Sequence, residues 1–247
     1  MSHTSSEFKL KEIQDQSIAL MDAAGFTIEK NISVEINESL TFMGYTTEYL
    51  GKPHIVVSGN AMKSGMALNL MIHELGHVYL MQQNHPSHNA HLLTSITGWV
   101  LHNKLVAQYQ ETIVQGIINH IQDIYTDDIS FTLFKKSAMP KDLSAFFLSW
   151  IKDPSIAEEP VQRSWENAGI VLSAAFAQAN LERHKIKDTD KTVEKAIDAL
   201  IKQLPKEYKS HFEFFKKFLQ LLPKQISDKD FEKLLITYIN TFSKMLS

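Results

Sequence analysis

The chain has 247 residues, room for one or two domains, with a net charge of −3 and no cysteine. The missing cysteine excludes disulfides, thiolate metal sites and a cysteine nucleophile. Residues 185–247 hold 13 Lys against 9 acids and the rest is net acidic, so neither part is basic enough for nucleic acid.

The opening residues lack the apolar core of a secretory signal, and no run reaches the length of a membrane span. The expectation is a cytoplasmic protein with no membrane partner.

Ser5 or Ser6 is expected to cap a first helix reaching about Ala24, with Gly25 as its stop. In "NISVEINESL", Ile32, Val34 and Ile36 alternate with polar residues, the pattern of a half-buried strand. "TFMGYTTEYL" and "HIVVSG" read as two further strands, joined as a hairpin through Gly51, Lys52 and Pro53. Ser64 is expected to cap a helix running to about Gln83, and "NHPSHN" breaks it.

From His91 the chain reads as helices near 90–107, 108–134, 141–152, 159–185, 190–204, 207–222 and 228–246. Pro140, Pro154, Pro205 and Pro223 fall at the breaks. In the last helix Phe231, Leu234, Leu235, Tyr238, Ile239, Phe242 and Met245 form one stripe behind Ser227 as N-cap. The expected fold is α+β, mostly α. A small N-terminal α/β subdomain with a few-stranded sheet spans 1–85, and an all-helical subdomain spans 86–247.

The helix that joins them contains "LMIHELGHVYLMQQ". His73 and His77 are four residues apart, so both rings can aim a nitrogen at one point, as two ligands of a single Zn²⁺ require. Glu74 faces the neighbouring direction, where a carboxylate can take a proton from water near that metal. The apolar flanks Met71, Ile72, Leu75 and Val78 make the helix central, and Gly76 suits close approach of another element. A bland reading is a buried helix with two core histidines, but two histidines and a glutamate are costly to bury without a use.

This His-Glu-x-x-His pattern, on a helix preceded by strand, turn and strand, resembles the zincin metallopeptidases over about residues 30–130. The resemblance implies a hydrolase that cuts peptide bonds in a peptide or protein substrate, with one Zn²⁺ per chain and Glu74 as general base and then acid. It also implies an edge strand that pairs with extended substrate, for which His54–Gly59 is the candidate.

The longer pattern with a third downstream histidine fails, because Leu80 and Gln83 stand where it needs Gly and His. His85 and His88 read as loop histidines past the helix end. "IINHIQDIYTDD" spaces Asn119, Asp123 and Asp127 four apart on a predicted helix, in a row with Glu111 and Gln115. This is similar to the gluzincin arrangement, which implies Asp123 as third ligand, Asp127 as the acid that hydrogen-bonds a ligating histidine, and Asn119 as a brace. Gluzincins use Glu where this chain has Asp123, so Glu111 stays open as the alternative ligand.

By type, Tyr125, His120, His102 and Tyr109 are available to stabilise an oxyanion. Trp99, Trp150 and Trp165 read as core or cleft-wall residues. The competing function is a non-catalytic zinc-binding or protein-interaction protein on the same scaffold. No phosphate-binding glycine loop or nucleophile elbow occurs, and "SGNAMKSG" reads as a loop and helix cap.

Overall fold

A two-residue turn sets the geometry of the small sheet. Strands β2 (Gly44–Tyr49) and β3 (Lys52–Ser58) are antiparallel, with Thr46 opposite Ile55. Leu50 and Gly51 join them with φ of 52° and 71°. Positive φ at both turn positions matches the right-handed twist of the flanking strands. The expected hairpin is present, but Lys52 and Pro53 belong to the strand and not to the turn.

The computed structural model describes residues 3–29, 31–101, 107–135 and 143–246. Strand β1 (Ser33–Asn37) adds to β3 in parallel, Val34 opposite Ile55, giving the order β1-β3-β2. This overturns the expectation for His54–Gly59. β3 is the central strand, flanked on both sides, and its backbone is already paired. Ile55, Val56 and Val57 are all buried, as a strand covered on both faces requires.

Helix α1 (His3–Ala24) begins before Ser6, so Ser6 lies inside it and does not cap it. Gly25, at φ +93°, closes the helix as expected, with the Phe26 amide donating to the Met21 carbonyl. Ser58 caps the short helix α2 (Gly59–Lys63) by accepting from the Ala61 amide at 3.0 Å. Ser64 ends α2, its hydroxyl donating to the Ala61 carbonyl and accepting from the Met66 amide, and it does not open the next helix, whose N-cap is Met66. Helix α3 (Ala67–Gln82) follows and packs on α1. Phe26 meets Tyr79 edge-on, and Gln82 bonds both the amide and the carbonyl of Glu29.

The remaining helices are α4 (Ala90–Val100), α5 (Gln108–Phe134), α6 (Leu143–Leu148), α7 (Pro160–His184), α8 (Thr192–Gln203), α9 (Glu207–Gln220) and α10 (Asp228–Lys244). Ser227 caps α10 as expected. Pro160 occupies the first turn of α7 beneath a Glu159 cap, where its missing N–H costs nothing. Helix α7 packs on α9 and buries Ala168, Ala174, Ala175, Ala177 and Ala179, small residues that let helices approach closely. His102 and Pro140 lie outside the described residues.

The chain is mostly helical with one three-stranded sheet, an α+β fold. It divides into two units. The first takes Met1–His88 and Thr126–Met139, and the second takes Asn89–Tyr125 and Pro140–Ser247. The end of α5 therefore goes with the sheet and not with the helical part. Among the described residues no helix is long and apolar enough to cross a membrane.

Candidate metal centre

Helix α3 presents His73 and His77 on one face, one turn apart. Their Nε2 atoms stand 3.2 Å apart, with ring planes at 81°. Two nitrogens held at about 2.0–2.1 Å from a tetrahedral zinc ion are about 3.3 Å apart. The spacing of the pair therefore matches that of two ligands of such an ion.

Each ring is held from behind by a different group. His73 Nδ1 lies 3.2 Å from Asp127 Oδ1 on α5, and Asp127 is buried. His77 Nδ1 lies 2.8 Å from His88 Nε2 and 3.2 Å from the Thr126 hydroxyl. Gly76 makes the approach of α5 possible, since a Cβ there would sit 2.8 Å from Thr126 Cγ2.

Asp123 is half-buried one turn before Asp127 on the same unbroken helix. His73, His77 and Asp123 each offer a ligand atom, and these atoms lie within 4.8 Å of one another. Asn119 is exposed and accepts from Gln115, so it is directed to its own helix face. Glu111 stands exposed in the first turn of α5. Twelve residues of helix place it about 18 Å along the axis from Asp123, too far to share its ligand position.

Glu74 is 3% exposed, and its Oε2 accepts a 2.7 Å hydrogen bond from the Thr46 hydroxyl. Thr46 also reaches the Glu74 carbonyl, so β2 is stitched to α3 at this residue. Gly44 keeps the contact tight, as a Cβ there would meet the Val56 carbonyl and Leu70.

Sequence reasoning missed Thr46 and His88. Thr46 is one of several polar residues in a β-like run and carries no signal of its own. His88 had one. Asn84 adopts φ 50°, a left-handed conformation Asn tolerates, and the His85 amide returns to the Leu80 carbonyl. The chain therefore folds back at the helix end, and a 3-10 turn over Pro86–His88 brings His88 to within 2.8 Å of His77.

The expected oxyanion donors divide. His120 is buried in the helical unit, stacked on Phe176 and edge-on to Trp150. Burial pulls its pKa down to about 4 against the opposing charge of Asp123, so it is a neutral core residue at pH 7. Tyr125 is buried and tilted against Phe231, and Tyr109 is half-buried near the start of α5. Trp165 is core, packed edge-on to Phe242, whereas Trp99 is 69% exposed.

A family model matches residues 17–244. The chain belongs to DUF5781, a family of unknown function. No curated protein and no solved structure matches the chain.

Proposed function

We propose that this DUF5781 protein is a zinc-dependent metallopeptidase that hydrolyses peptide bonds with one Zn²⁺ per chain. The observation that carries the reading is the pair of Nε2 atoms 3.2 Å apart, backed by Asp127, with the Glu74 carboxylate on the same helix. His73 and His77 would hold the ion with Asp123 as third ligand. A zinc ion bound there supplies Lewis acidity, lowering the pKa of water and polarising a carbonyl.

Glu74 takes a proton from the attacking water onto its carboxylate and later returns it to the leaving amine. Thr46 orients that carboxylate from β2 by donating to Oε2. Asp127 fixes the His73 tautomer by accepting from Nδ1, which turns the Nε2 lone pair toward the ion. Among the described residues β2 pairs only with β3, so its other edge can hold an extended peptide by backbone hydrogen bonds. A cytoplasmic location belongs to this reading, and the cysteine-free composition suits a reducing compartment.

One observation favours a second reading, a zinc site without catalysis: Glu74 is nearly fully buried and its carboxylate is already engaged by Thr46. Zinc per chain, measured by elemental analysis, and cleavage of unfolded casein separate the two. Under the peptidase reading Glu74→Gln keeps its zinc and loses about 10²–10⁴-fold in cleavage, the usual worth of a general base, while Asp123→Ala loses the zinc. Zinc retention with no cleavage by the wild type supports the second reading.

A further inference from the structure

His77 is backed by a file of hydrogen bonds whose direction is set at its far end. The Ser87 amide donates to His85 Nδ1 at 3.3 Å. A backbone N–H can only donate, so this His85 nitrogen is an acceptor. The Ser87 hydroxyl, 2.7 Å from the same nitrogen, donates to it as well. Its oxygen is left to accept from His88 Nδ1 at 2.8 Å. A neutral imidazole that carries its proton on Nδ1 is bare at Nε2. His88 Nε2 therefore accepts from His77 Nδ1 across 2.8 Å, and His77 Nε2 carries a lone pair.

The same logic runs in from the other side. The Asp127 carboxylate accepts from His73 Nδ1, which leaves a lone pair on His73 Nε2. These proton positions are assigned from the network. They bring two lone pairs face to face at 3.2 Å, an arrangement that is repulsive unless a cation lies between them. Ser87 is fully buried, so water does not compete for its hydroxyl.

We propose that His88 is a positioning residue for the metal centre. The relay from the Ser87 amide through His85, Ser87 and His88 holds His77 in the Nδ1–H tautomer and presents its Nε2 to zinc. His88 itself is not a ligand, because its Nε2 is turned to His77 Nδ1. The inference rests on the zinc reading of His73 and His77.

The test is zinc affinity of the full chain, measured by competition with a chelating dye, for wild type, His88→Leu, His88→Gln, His77→Ala and the exposed control His91→Leu. Loss of a hydrogen-bond partner behind a ligating histidine weakens metal binding by about 10–100-fold, which is the loss expected for His88→Leu. His88→Gln places an acceptor oxygen near the lost Nε2 and recovers most of it, while His91→Leu matches wild type. Nitrogen-15 shifts of the zinc-loaded wild type should show His88 protonated at Nδ1, a result independent of how well the variants fold. His88→Leu equal to His91→Leu, His88→Gln as weak as His88→Leu, or His88 protonated at Nε2 overturns the relay alone. Absence of zinc binding by wild type, or binding unchanged in His77→Ala, overturns the zinc reading and the relay with it.

Discussion

Helices α3 and α7 are both central to their units, but they bury different chemistry. Helix α3 buries Glu74 and holds two histidines, each polar group answered by a directed partner: Thr46, Asp127 or His88. Helix α7 buries several alanines and packs on α9, and the buried histidine near it, His120, is enclosed by Phe176 and Trp150. Among the described residues His120 Nδ1 has no hydrogen-bond partner, while its Nε2 lies 3.4 Å from the Ser173 hydroxyl on α7. Burial alone therefore does not mark a functional histidine. Two ring nitrogens held 3.2 Å apart, as in His73 and His77, set the α3 pair apart from His120.

The contrast breaks if substitutions in the two regions give the same profile. The largest stability effect is expected for Phe215→Ala, in the apolar contact of α9 with Tyr238 on α10. A fully buried phenylalanine should cost about 3–5 kcal/mol in denaturant unfolding, with zinc per folded chain unchanged.

His120 comes next, and its effect has a sign. Its folded pKa, about 4, lies below the ordinary value of 6.5, so between these values the unfolded chain binds more protons. Stability then falls as pH drops from about 6.5 to about 4, by about 3 kcal/mol in all. Unfolding midpoints of wild type and His120→Phe, followed across that window, should separate as the pH falls, the wild type losing stability in acid that the variant keeps. A constant difference between them would show that His120 charges freely in the folded state.

The smallest stability effect sharpens the α3 side. In Gly76→Ala the new Cβ meets Thr126 at 2.8 Å. Overpacking should cost about 1–3 kcal/mol, partly offset by about 1 kcal/mol of helix propensity. Thr126 and Asp127 back both histidines, so zinc affinity should fall in this variant although no ligand is touched. An affinity equal to wild type would separate the close approach from the metal centre.

Local patterns in the chain were legible and distant pairings were not. The stripe of α10, the extent of α5 and the spacing of His73, Glu74 and His77 all follow from periods of one helical turn. Asp127 stood out because it shares a four-residue row with Asp123. The pairing of β1 with β3 was hidden, since a parallel partner distant in sequence leaves no local signal, and the edge position of β3 was only what the resemblance implied. Ser64 fits either end of a helix by type, and here it is the C-cap of α2 while α3 starts behind Met66. The return of His88 depends on one backbone angle at Asn84, a residue that adopts either hand at small cost.

The order of the sheet also implies an order in time. The β2–β3 hairpin closes through Leu50 and Gly51 alone, so it can form within about 1–10 μs. β1 must reach β3 across the intervening hairpin strand, a non-local parallel pairing that pays its loop entropy first and forms later. During folding, β3 is then briefly an edge strand, and its Ile55–Val57 run is the segment most open to pairing with another chain until β1 arrives.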